Sequence, residues 1–438
     1  MRQTLQLLCI LLDPRITAAP VRTLRELRRR GVRRLPREVE PAVDGLRHRG
    51  RALRFAREWL ATERLTRHRG QWVINSFMPP FPGRAYERMF ENLLSGRHLS
   101  PVSAYLAVTG ECPCRCWHCS LAHRDVSSSL PRETWESVID QLQALGVSLI
   151  GFTGGEPLLR SDLDELVARA ARGGATPVLF TCGLGLDDAR ARRLADAGLW
   201  ACGVSLDHDE EAECDRLRGR AGAYRAALAA LRAARKAGLY TMTGTVATRS
   251  LIESGRHERI YRLAAELRVH ECRFIEPMPC GRLAAADALL RPEHTAALRA
   301  FHAERNRSRG GPKVCAFNQI ESPEVFGCGG GTQHLFVDAA GEVCPCDFTP
   351  LSFGNVRDRP LARIWERMNR AMGDNPRAHC FIQKHHGLIA ARAAGEWPLP
   401  PEISEAICRA AGPEPLPAYF DLVVNADSAT TKAPRKDE

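Results

Sequence analysis

Residues 147–181 read VSLIGFTGGEPLLRSDLDELVARAARGGATPVLFT, and this stretch contains a strand, a helix and a second strand. The apolar run 147–153 predicts a buried strand, and Pro177–Thr181 predicts the next one. Between them Ser161, with an acidic residue three positions later, is typical of a helix start, and Gly173 of a helix end. A strand, a helix and a strand in this order form the unit from which parallel sheets are built.

The same unit repeats along the chain on both sides of this stretch. Strands are predicted at 103–108, 147–153, 177–181, 199–206, 239–247 and 271–276, with helices after them at 131–145, 161–173, 187–197, 223–237, 256–267 and 292–305. Six units with short strands predict an α/β fold, a partial (β/α)6 TIM-type barrel. In such barrels the chemistry lies at the C-terminal ends of the strands.

The alternation divides the chain into four predicted parts. We expect residues 1–96 to form an Arg-rich, mainly helical extension, whose short helices are broken by Pro and Gly residues such as Gly50. Residues 97–310 form the barrel core. Residues 311–423 form a small Cys-rich α+β extension with a hairpin near 334–343 and a helix near 361–372, and residues 424–438 are expected to be disordered.

The first strand runs directly into a loop with four cysteines. Cys112, Cys116 and Cys119 have the spacing C-x3-C-x2-C, and Cys114 is an additional thiol between them. Thiolates at this density suit a metal. A structural zinc loop is one interpretation, although zinc favours two separate C-x2-C pairs. Three thiolates also leave one iron of a four-iron cluster without a protein ligand.

The second strand ends in the turn Gly154-Gly155-Glu156-Pro157, on the same edge of the sheet as the cysteine loop. Glycines at this place let backbone groups approach a ligand closely. Glu156 offers a carboxylate to a cationic amine. A plain Gly-Pro turn is the alternative for this motif alone, but the two motifs in order, one βα unit apart, argue against it.

Together these motifs resemble those of the radical S-adenosylmethionine (radical SAM) enzymes. The cluster motif of that family is C-x3-C-x-φ-C, and His118 holds the φ position here. The resemblance implies that Cys112, Cys116 and Cys119 hold a [4Fe-4S] cluster, with SAM on the open iron. SAM is then cleaved reductively to a 5′-deoxyadenosyl radical, which abstracts hydrogen from the substrate, while the protein orients and shields this chemistry.

Later strand ends carry further matches to the family. Ser205 and Asp207 resemble its Ser-Leu-Asp element, and Arg218 its Arg-Gly element, where an arginine suits the SAM carboxylate. A solvated surface arginine is the alternative for Arg218. At Cys182 the family often has asparagine, and this departure puts a ribose-side contact in doubt. The resemblance implies a cofactor site made of Gly154, Gly155, Glu156, Pro157, Ser205, Asp207, Arg218 and His118.

A second set of cysteines follows the barrel. Cys328, Gly341 and Cys346 have the spacing C-x12-G-x4-C, which resembles the SPASM or twitch extension of radical SAM enzymes. That resemblance implies one auxiliary iron–sulfur cluster; the ligands that we expect are Cys315, Cys328, Cys346 and Cys380, with Cys344 as a substitute and His379, His385 or His386 as further candidates. A zinc site is the alternative, since four thiolates also suit zinc.

The net charge of the chain is +11, and it lies entirely in the N-terminal segment. Residues 1–70 contain 18 Arg, no Lys and 7 acidic residues, whereas the remaining basic and acidic residues balance at 44 each. The apolar run from Leu5 to Leu12 is too short to span a bilayer and has no signal cleavage site. We therefore expect a cytoplasmic protein that binds neither membrane nor nucleic acid.

The sequence predicts a radical SAM oxidoreductase or maturase that needs a reducing electron donor such as flavodoxin or ferredoxin. A ribosomally made precursor peptide is the expected substrate; a tetrapyrrole or antibiotic precursor is the alternative. A basic, metal-stapled nucleic-acid-binding protein is the rival of another class, but it does not need the turn at Gly154–Pro157. Residues 1–70 are predicted to dock an acidic partner; solvated arginines on helices packed against the barrel are the alternative. No residue is identified as the acid, base or hydrogen donor.

Overall fold

The computed structural model describes residues 46–94, 100–124, 129–285, 287–393, 395 and 397–424. The first 45 residues and the tail 425–438 lie outside these ranges, and so do the predictions of short N-terminal helices before residue 46 and of a disordered tail. The described N-terminal part consists of helix α1 (Leu46–Thr62), strands β1 (Thr66–His68) and β2 (Gln71–Val73), and helix α2 (Arg84–Leu94).

This N-terminal part differs in two ways from the short helices that we predicted. Helix α1 runs through Gly50 without a break. Residues 66–73 form an antiparallel hairpin instead of a helix, and it turns at Gly70, whose φ of 80° is a conformation that favours glycine. Alternating side chains in three-residue strands carry too little periodicity to be recognised in a sequence.

The predicted barrel is confirmed. Its six parallel strands, each paired with the next, are β3 (Ser103–Ala107), β4 (Leu149–Thr153), β5 (Thr176–Thr181), β6 (Ala201–Ser205), β7 (Tyr240–Val246) and β8 (Glu271–Ile275). The helices between and after them are α3 (Arg132–Leu145), α4 (Leu163–Arg172), α5 (Asp188–Asp196), α6 (Glu211–Arg218), α7 (Ala223–Lys236), α8 (Arg249–Glu253), α9 (Arg256–Glu266) and α10 (Pro292–Arg307).

The six predicted helices of the barrel form where the apolar periodicity places them, with small shifts at their ends, whereas α6 and α8 were not predicted. In α3 the buried side chains are Trp135, Val138, Ile139 and Leu142, one face of the helix, and Gly146 ends it in the left-handed conformation. Helix α4 begins at Leu163 after Asp162, so Ser161 is not its cap. In α5 the predicted start is correct, because the Asp187 carboxylate accepts a hydrogen bond from the Arg190 backbone N–H.

Two strands beyond residue 310 extend the barrel sheet at both edges. Strand β9 (Lys313–Ala316) pairs in parallel with β8, and β10 (His334–Val337) pairs in parallel with β3. Strand β11 (Val343–Cys344) completes the predicted hairpin with β10. The sheet therefore has nine strands in the order β11-β10-β3-β4-β5-β6-β7-β8-β9, and the C-terminal part of the chain is hydrogen-bonded to the barrel.

Five helices complete the C-terminal part: α11 (Phe317–Ile320), α12 (Leu361–Met372), α13 (Phe381–Ala390), α14 (Pro401–Ala411) and α15 (Ala418–Val424). The predicted helix near 361–372 is confirmed as α12. It is fixed to the barrel because the Gln141 side chain in α3 accepts a hydrogen bond from the Leu361 backbone N–H at 2.7 Å. In the described ranges, no helix is both long and apolar enough to cross a bilayer.

Candidate active site

A cavity of about 640 Å³ opens at the C-terminal ends of the barrel strands. The cysteine loop 112–119 lines one side of it, and the residues at the ends of β4 to β8 line the floor. Asp347 and Phe348, which follow the C-terminal hairpin, line the opposite side. The cavity therefore joins the two cysteine-rich parts of the molecule at the edge of the sheet where barrel chemistry occurs.

The cysteine loop is held by the end of helix α6. The backbone N–H groups of Arg115 and Trp117 donate to the carbonyls of Arg218 and Leu217 at 2.9 and 3.1 Å. Gly219, which ends the helix with a φ of 60°, lies so close that a Cβ there would be 2.6 Å from the Arg115 carbonyl oxygen. The predicted Arg-Gly element thus positions the loop that carries the thiols.

The glycines of the second motif bring the start of the same loop against strand β4. The backbone N–H groups of Gly155 and Glu156 donate to the carbonyls of Thr109 and Glu111 at 2.8 and 2.7 Å. A Cβ at Gly155 would lie 2.0 Å from the Glu111 carbonyl oxygen, closer than atoms pack. Gly154 has a φ of 128°, and both glycines line the cavity. We expected these glycines to let the backbone approach a ligand, but the group that they approach closely is the start of the cysteine loop.

Glu156 is placed differently from our expectation that it faces a ligand amine. Its side chain is fully buried and accepts hydrogen bonds from the Thr181 hydroxyl at 2.6 Å and the Cys182 backbone N–H at 2.7 Å. It also accepts from the Leu158 backbone N–H at 3.1 Å, next to Pro157, where a short 3-10 turn begins. Glu156 therefore ties the ends of β4 and β5 together and does not line the cavity.

Arg218 and Asp207 form a buried ion pair beside the cavity, with 3.0 Å between guanidinium and carboxylate. The second carboxylate oxygen of Asp207 accepts from the Val246 backbone N–H at 3.1 Å. Burial acts to lower the pKa of Arg218, but Asp207 and the Cys116 thiol outweigh it and the pKa is raised. Arg218 lines the cavity and is no solvated surface residue, whereas Asp207, which holds it, does not line this cavity.

His118 lies over the same ion pair and lines the cavity. Its Nε2 atom is 4.0 Å from the Asp207 carboxylate, and its buried Nδ1 atom has no hydrogen-bond partner among the described residues. Burial lowers the pKa of His118, so it is held neutral at neutral pH. Ser205, at the end of β6, also lines the cavity as predicted.

The thiols of the loop are in contact with each other and with the end of β5. Cys114 and Cys116 pack with Cys182 in one buried cluster, and Cys119 lies against it. A hydrogen bond from Cys114 lowers the pKa of Cys116 to about 7, with Arg218 acting in the same direction against burial. A thiol must be deprotonated to bind metal, and Cys116 is the one whose surroundings favour that form.

Neither cysteine set is arranged around a single point. In the described part of the chain, no group of three or more His, Cys, Asp or Glu side chains converges as the ligands of one metal ion must. A tetrahedral zinc ion requires that convergence. In an iron–sulfur cluster each thiolate binds a different iron, so Cys112, Cys116 and Cys119 on one loop facing one cavity fit a cluster better than they fit zinc.

Two of the four cysteines predicted for the second site are in contact, and a third lies near them without converging on one point. Cys328 and Cys380 interact directly, and a hydrogen bond from Cys380 lowers the pKa of the Cys328 thiol to about 6. Cys346 lies near Cys328, and its thiol donates to the Thr349 hydroxyl at 3.2 Å. Glu321, which the sequence did not single out, interacts with both Cys328 and Cys380.

Cys315 is not part of this group in the structure, contrary to our prediction. It lies on β9 opposite Arg273 of β8, and the groups acting on it are Glu271, Glu63, Arg273 and Lys313. Side chains alternate along a strand, so Cys315 shares the barrel interior with Lys313.

The substitute ligands that we considered are also engaged elsewhere. Cys344 accepts a contact from the Arg124 guanidinium at 3.4 Å. His379 and His385 face Glu414, and His386 bonds the Gln383 carbonyl.

The chain matches known proteins in both cysteine-rich parts. Residues 106–272 match the family model of the Radical SAM superfamily, and residues 328–386 match that of SPASM, an iron–sulfur cluster-binding domain. Over 280 residues the chain is 34% identical to a PqqA peptide cyclase of Streptomyces rochei, which covers 61% of this chain and 76% of that relative. The chain belongs to the radical SAM superfamily. Its cofactors are accordingly a [4Fe-4S] cluster that binds SAM, SAM itself, and auxiliary iron–sulfur in the SPASM domain.

Other comparisons agree with a radical SAM fold. The chain is 28% identical over 295 residues to an AdoMet-dependent heme synthase of Nitratidesulfovibrio vulgaris, covering 61% of this chain and 80% of that relative. Among solved structures, Streptococcus suis SuiB bound to its precursor peptide SuiA superimposes with a TM-score of 0.52 at 14% identity, covering 64% of this chain and 68% of that one. This last likeness concerns the fold.

Sequence reasoning missed several residues that line the cavity. Asp347 and Phe348 follow a predicted metal ligand, but nothing in their own type or spacing indicates that the hairpin turns them towards the barrel. Arg273 lies in the middle of a predicted strand, where a charged residue in a buried run is itself an unusual signal. That signal was available from the sequence, and the structure places Arg273 on a smaller cavity that shares residues with the main one.

Proposed function

We propose that this radical SAM enzyme modifies a ribosomally made precursor peptide in the cavity between the barrel and the SPASM domain. The observation that carries the proposal is the cavity of about 640 Å³, which both cysteine-rich parts line. The 34% identity to a protein named PqqA peptide cyclase supports a peptide substrate. When bound, the cluster and SAM supply a 5′-deoxyadenosyl radical that abstracts hydrogen from the substrate.

The residues of the chain have separable tasks in this proposal. Cys112, Cys116 and Cys119 would hold the SAM-binding cluster, while Gly154 and Gly155 let their loop reach its place. The buried Arg218, whose guanidinium is held by Asp207, would present a positive charge to the carboxylate of SAM. Ser205 and His118 add polar groups on the same wall.

Aromatic and apolar side chains limit water on the substrate side. Phe180, Phe336 and Phe348 line the cavity together with Met278 and Leu283. An apolar wall around a reactive radical prevents its loss to side reactions. The proposed division of the chain is residues 97–310 for the SAM-binding core and 311–423 for the auxiliary domain, whose one cluster is held by Cys328, Cys346 and Cys380.

A tetrapyrrole is the second candidate substrate, and the 28% identity to a protein named AdoMet-dependent heme synthase favours it. A flavodoxin or ferredoxin would supply the electron in either case. We also propose a cytoplasmic location and no dependence on nucleic acid or membrane, since the charge of the catalytic part is balanced.

The test uses the full chain, reconstituted anaerobically with iron and sulfide. With SAM and dithionite we expect 5′-deoxyadenosine, and if a neighbouring open reading frame encodes a short peptide, we expect a change in the mass of that peptide, detected by mass spectrometry. Absence of 5′-deoxyadenosine would contradict the radical chemistry. Formation of 5′-deoxyadenosine with an unchanged peptide and a modified tetrapyrrole would instead favour the second candidate.

A further inference from the structure

A buried arginine lies inside the barrel below the main cavity. Arg273, in the middle of β8, is only 3% exposed. It lines a smaller cavity of about 160 Å³, which shares residues such as Ser205, Arg218 and Phe348 with the main one. We call this smaller cavity the lower chamber. It places a permanent positive charge at the bottom of the space that a substrate enters.

Aromatic rings surround the Arg273 guanidinium. Its central carbon is 4.7 Å from the ring centre of Phe180, 4.9 Å from that of Phe317 and 5.3 Å from that of Phe77. The Tyr105 hydroxyl also interacts with it. Rings stabilise a cation through their π faces and restrict its orientation, but they do not neutralise its charge.

No carboxylate of a described residue forms an ion pair with Arg273. Its Nε atom is buried without a hydrogen-bond partner. Glu271, two residues earlier on the same face of β8, is occupied by the Tyr240 hydroxyl at 3.0 Å and by Lys313 at 3.9 Å. Buried arginines are ordinarily paired with an acidic group. The Arg273 guanidinium therefore has N–H groups that are free to bind a ligand.

Glu321 and Asp347 are the acidic groups of the C-terminal part that act on Arg273, and of the two it is Asp347 that faces the lower chamber. It lines the lower chamber, acts on Arg273 through space, and forms no ion pair with it. Space for a ligand exists in the lower chamber, because Gly244, the residue paired with Arg273 across β7 and β8, also lines it and an added Cβ there would meet no atom within 4 Å. A planar carboxylate matches the forked donors of an arginine.

We propose that Arg273 is a specificity residue that binds a carboxylate of the substrate in the lower chamber. The proposal rests on the proposed function, because it takes the substrate to be a peptide. The carboxylate is either an Asp or Glu side chain or a free C-terminus. Bound there, it fixes the depth to which the peptide enters the barrel and so selects the residue next to the SAM site.

The test compares three synthetic peptides on the anaerobic holoenzyme with SAM bound and no reductant. The peptides are acetyl-Gly-Gly-Glu-Gly-Gly-amide, the same peptide with Gln in place of Glu, and acetyl-Gly-Gly-Gln-Gly-Gly with a free C-terminus. Calorimetric titration measures binding to the wild type, Arg273→Gln, Arg273→Lys and Arg299→Gln. Arg299 is the matched control, since it lines a different cavity and pairs with Glu324.

We expect the wild type and Arg299→Gln to bind one of the two acidic peptides about tenfold or more tightly than the neutral one. The peptide that binds shows whether the side chain or the terminus is recognised. Arg273→Gln should lose this preference and keep its affinity for the neutral peptide, and Arg273→Lys should recover part of it. Full iron content of each variant shows that it is folded.

The proposal is overturned if the wild type shows no preference for a carboxylate, or if the preference survives in Arg273→Gln. This readout needs no turnover. A failure of SAM cleavage would therefore count against the proposed function, whereas a missing carboxylate preference in an enzyme that does cleave SAM counts against the role of Arg273 alone.

Discussion

At the scale of single residues, the closest approach in the active site is made by a glycine. Gly155→Ala places a Cβ 2.0 Å from the Glu111 carbonyl oxygen, so the backbone that leads into the cysteine loop must move. We expect the variant to lose the SAM-binding cluster, lowering the iron content from about eight to about four per chain, and with it the formation of 5′-deoxyadenosine. Iron analysis and chromatography measure both.

Gly387→Ala is the control for this variant. Gly387 lies within helix α13, and no atom would lie within 4 Å of the added Cβ. Alanine favours a helix over glycine by about 1 kcal/mol, so this change should leave the iron content intact and raise the melting temperature slightly. Full iron content in Gly155→Ala would show that the loop does not depend on the close approach.

The buried pair of Asp207 and Arg218 gives a prediction about stability. Asp207→Asn removes the negative charge and leaves the Arg218 guanidinium buried without its partner, which costs about 3–5 kcal/mol in the free energy of unfolding. Glu213→Gln breaks an exposed pair with Arg216 and should cost at most about 1 kcal/mol. Denaturant unfolding measures both differences, and equal costs would contradict the argument from burial.

The free-energy cost of Asp207→Asn should also depend on pH. Burial alone would raise the pKa of Asp207, but His118 and Arg218 lower it below its ordinary value. A carboxyl with a depressed folded pKa stabilises the fold fully above about pH 4 and loses that contribution at lower pH. The difference in unfolding free energy between wild type and Asp207→Asn should therefore shrink on acidification below about pH 4.

The sequence was enough to predict which residues lie at the site, but only some of the contacts that they make there. Spacing and order were enough to bring the cysteine loop, Gly155, Ser205 and Arg218 to one edge of the sheet. The partner of Glu156 could not be predicted, because a carboxylate in a ligand-binding turn serves a ligand or the neighbouring strand equally well. The structure shows that the Thr181 hydroxyl and the Cys182 N–H donate hydrogen bonds to this carboxylate.

At the scale of elements, the position of strand β9 separates Cys315 from the other cysteines that we predicted as ligands of the auxiliary cluster. Its alternation turns Cys315 towards Lys313 and the barrel interior, whereas Cys328 and Cys380 interact with each other. We expect Cys315→Ala to keep the full iron content of about eight per chain, and Cys328→Ala to fall to about four. Iron analysis after anaerobic reconstitution compares the two variants, and SAM cleavage should persist in both.

The opposite result would restore the assignment that we made from the sequence. If Cys315→Ala loses as much iron as Cys328→Ala, then Cys315 is a ligand in the loaded protein. In that case β9 rearranges when the cluster binds, and its pairing with β8 should change in hydrogen-exchange measurements.

The strands of the barrel were predictable for a physical reason that did not extend to its edges. Strands β4, β5 and β6 are largely buried and read as mainly apolar runs between helices with clear 3.6-residue periodicity. Strands β9 and β10 contribute four residues each, and β9 begins with a lysine. They pair with β8 and β3 because those strands form the two edges of the barrel sheet. Nothing in the four residues of either strand indicates which edge it will join.

At the scale of the whole molecule, the N-terminal part closes the lower end of the barrel. The Arg64 guanidinium donates to three carbonyls of the segment 308–311, and the buried Lys313 ammonium donates to the carbonyls of Val73 and Ile74 at 3.1 and 2.9 Å. Arg64 and Arg69 therefore agree with one of our two interpretations, arginines packed against the barrel.

Deletion of residues 1–73 should consequently unfold or aggregate the protein. It removes an acceptor of Lys313 and the fully buried Val73, leaving a charged group and apolar surface exposed at the barrel floor. Deletion of residues 1–45 is the matched control and should change the melting temperature little. Thermal unfolding compares the two, and a stable protein without residues 1–73 would show that the barrel floor needs no cover.

The excess charge of the chain can be tested with the shorter deletion. Residues 1–45 contain 10 Arg and 5 acidic residues, so their deletion removes a net charge of +5. If this segment docks an acidic partner, a labelled polyglutamate peptide should bind the full chain more weakly at high salt, because screening shortens the reach of exposed charges. The chain without residues 1–45 should bind it more weakly at low salt and with a smaller salt dependence. Equal affinity and equal salt dependence in the two proteins would show that the remaining arginines, those that pack on the barrel, account for the binding.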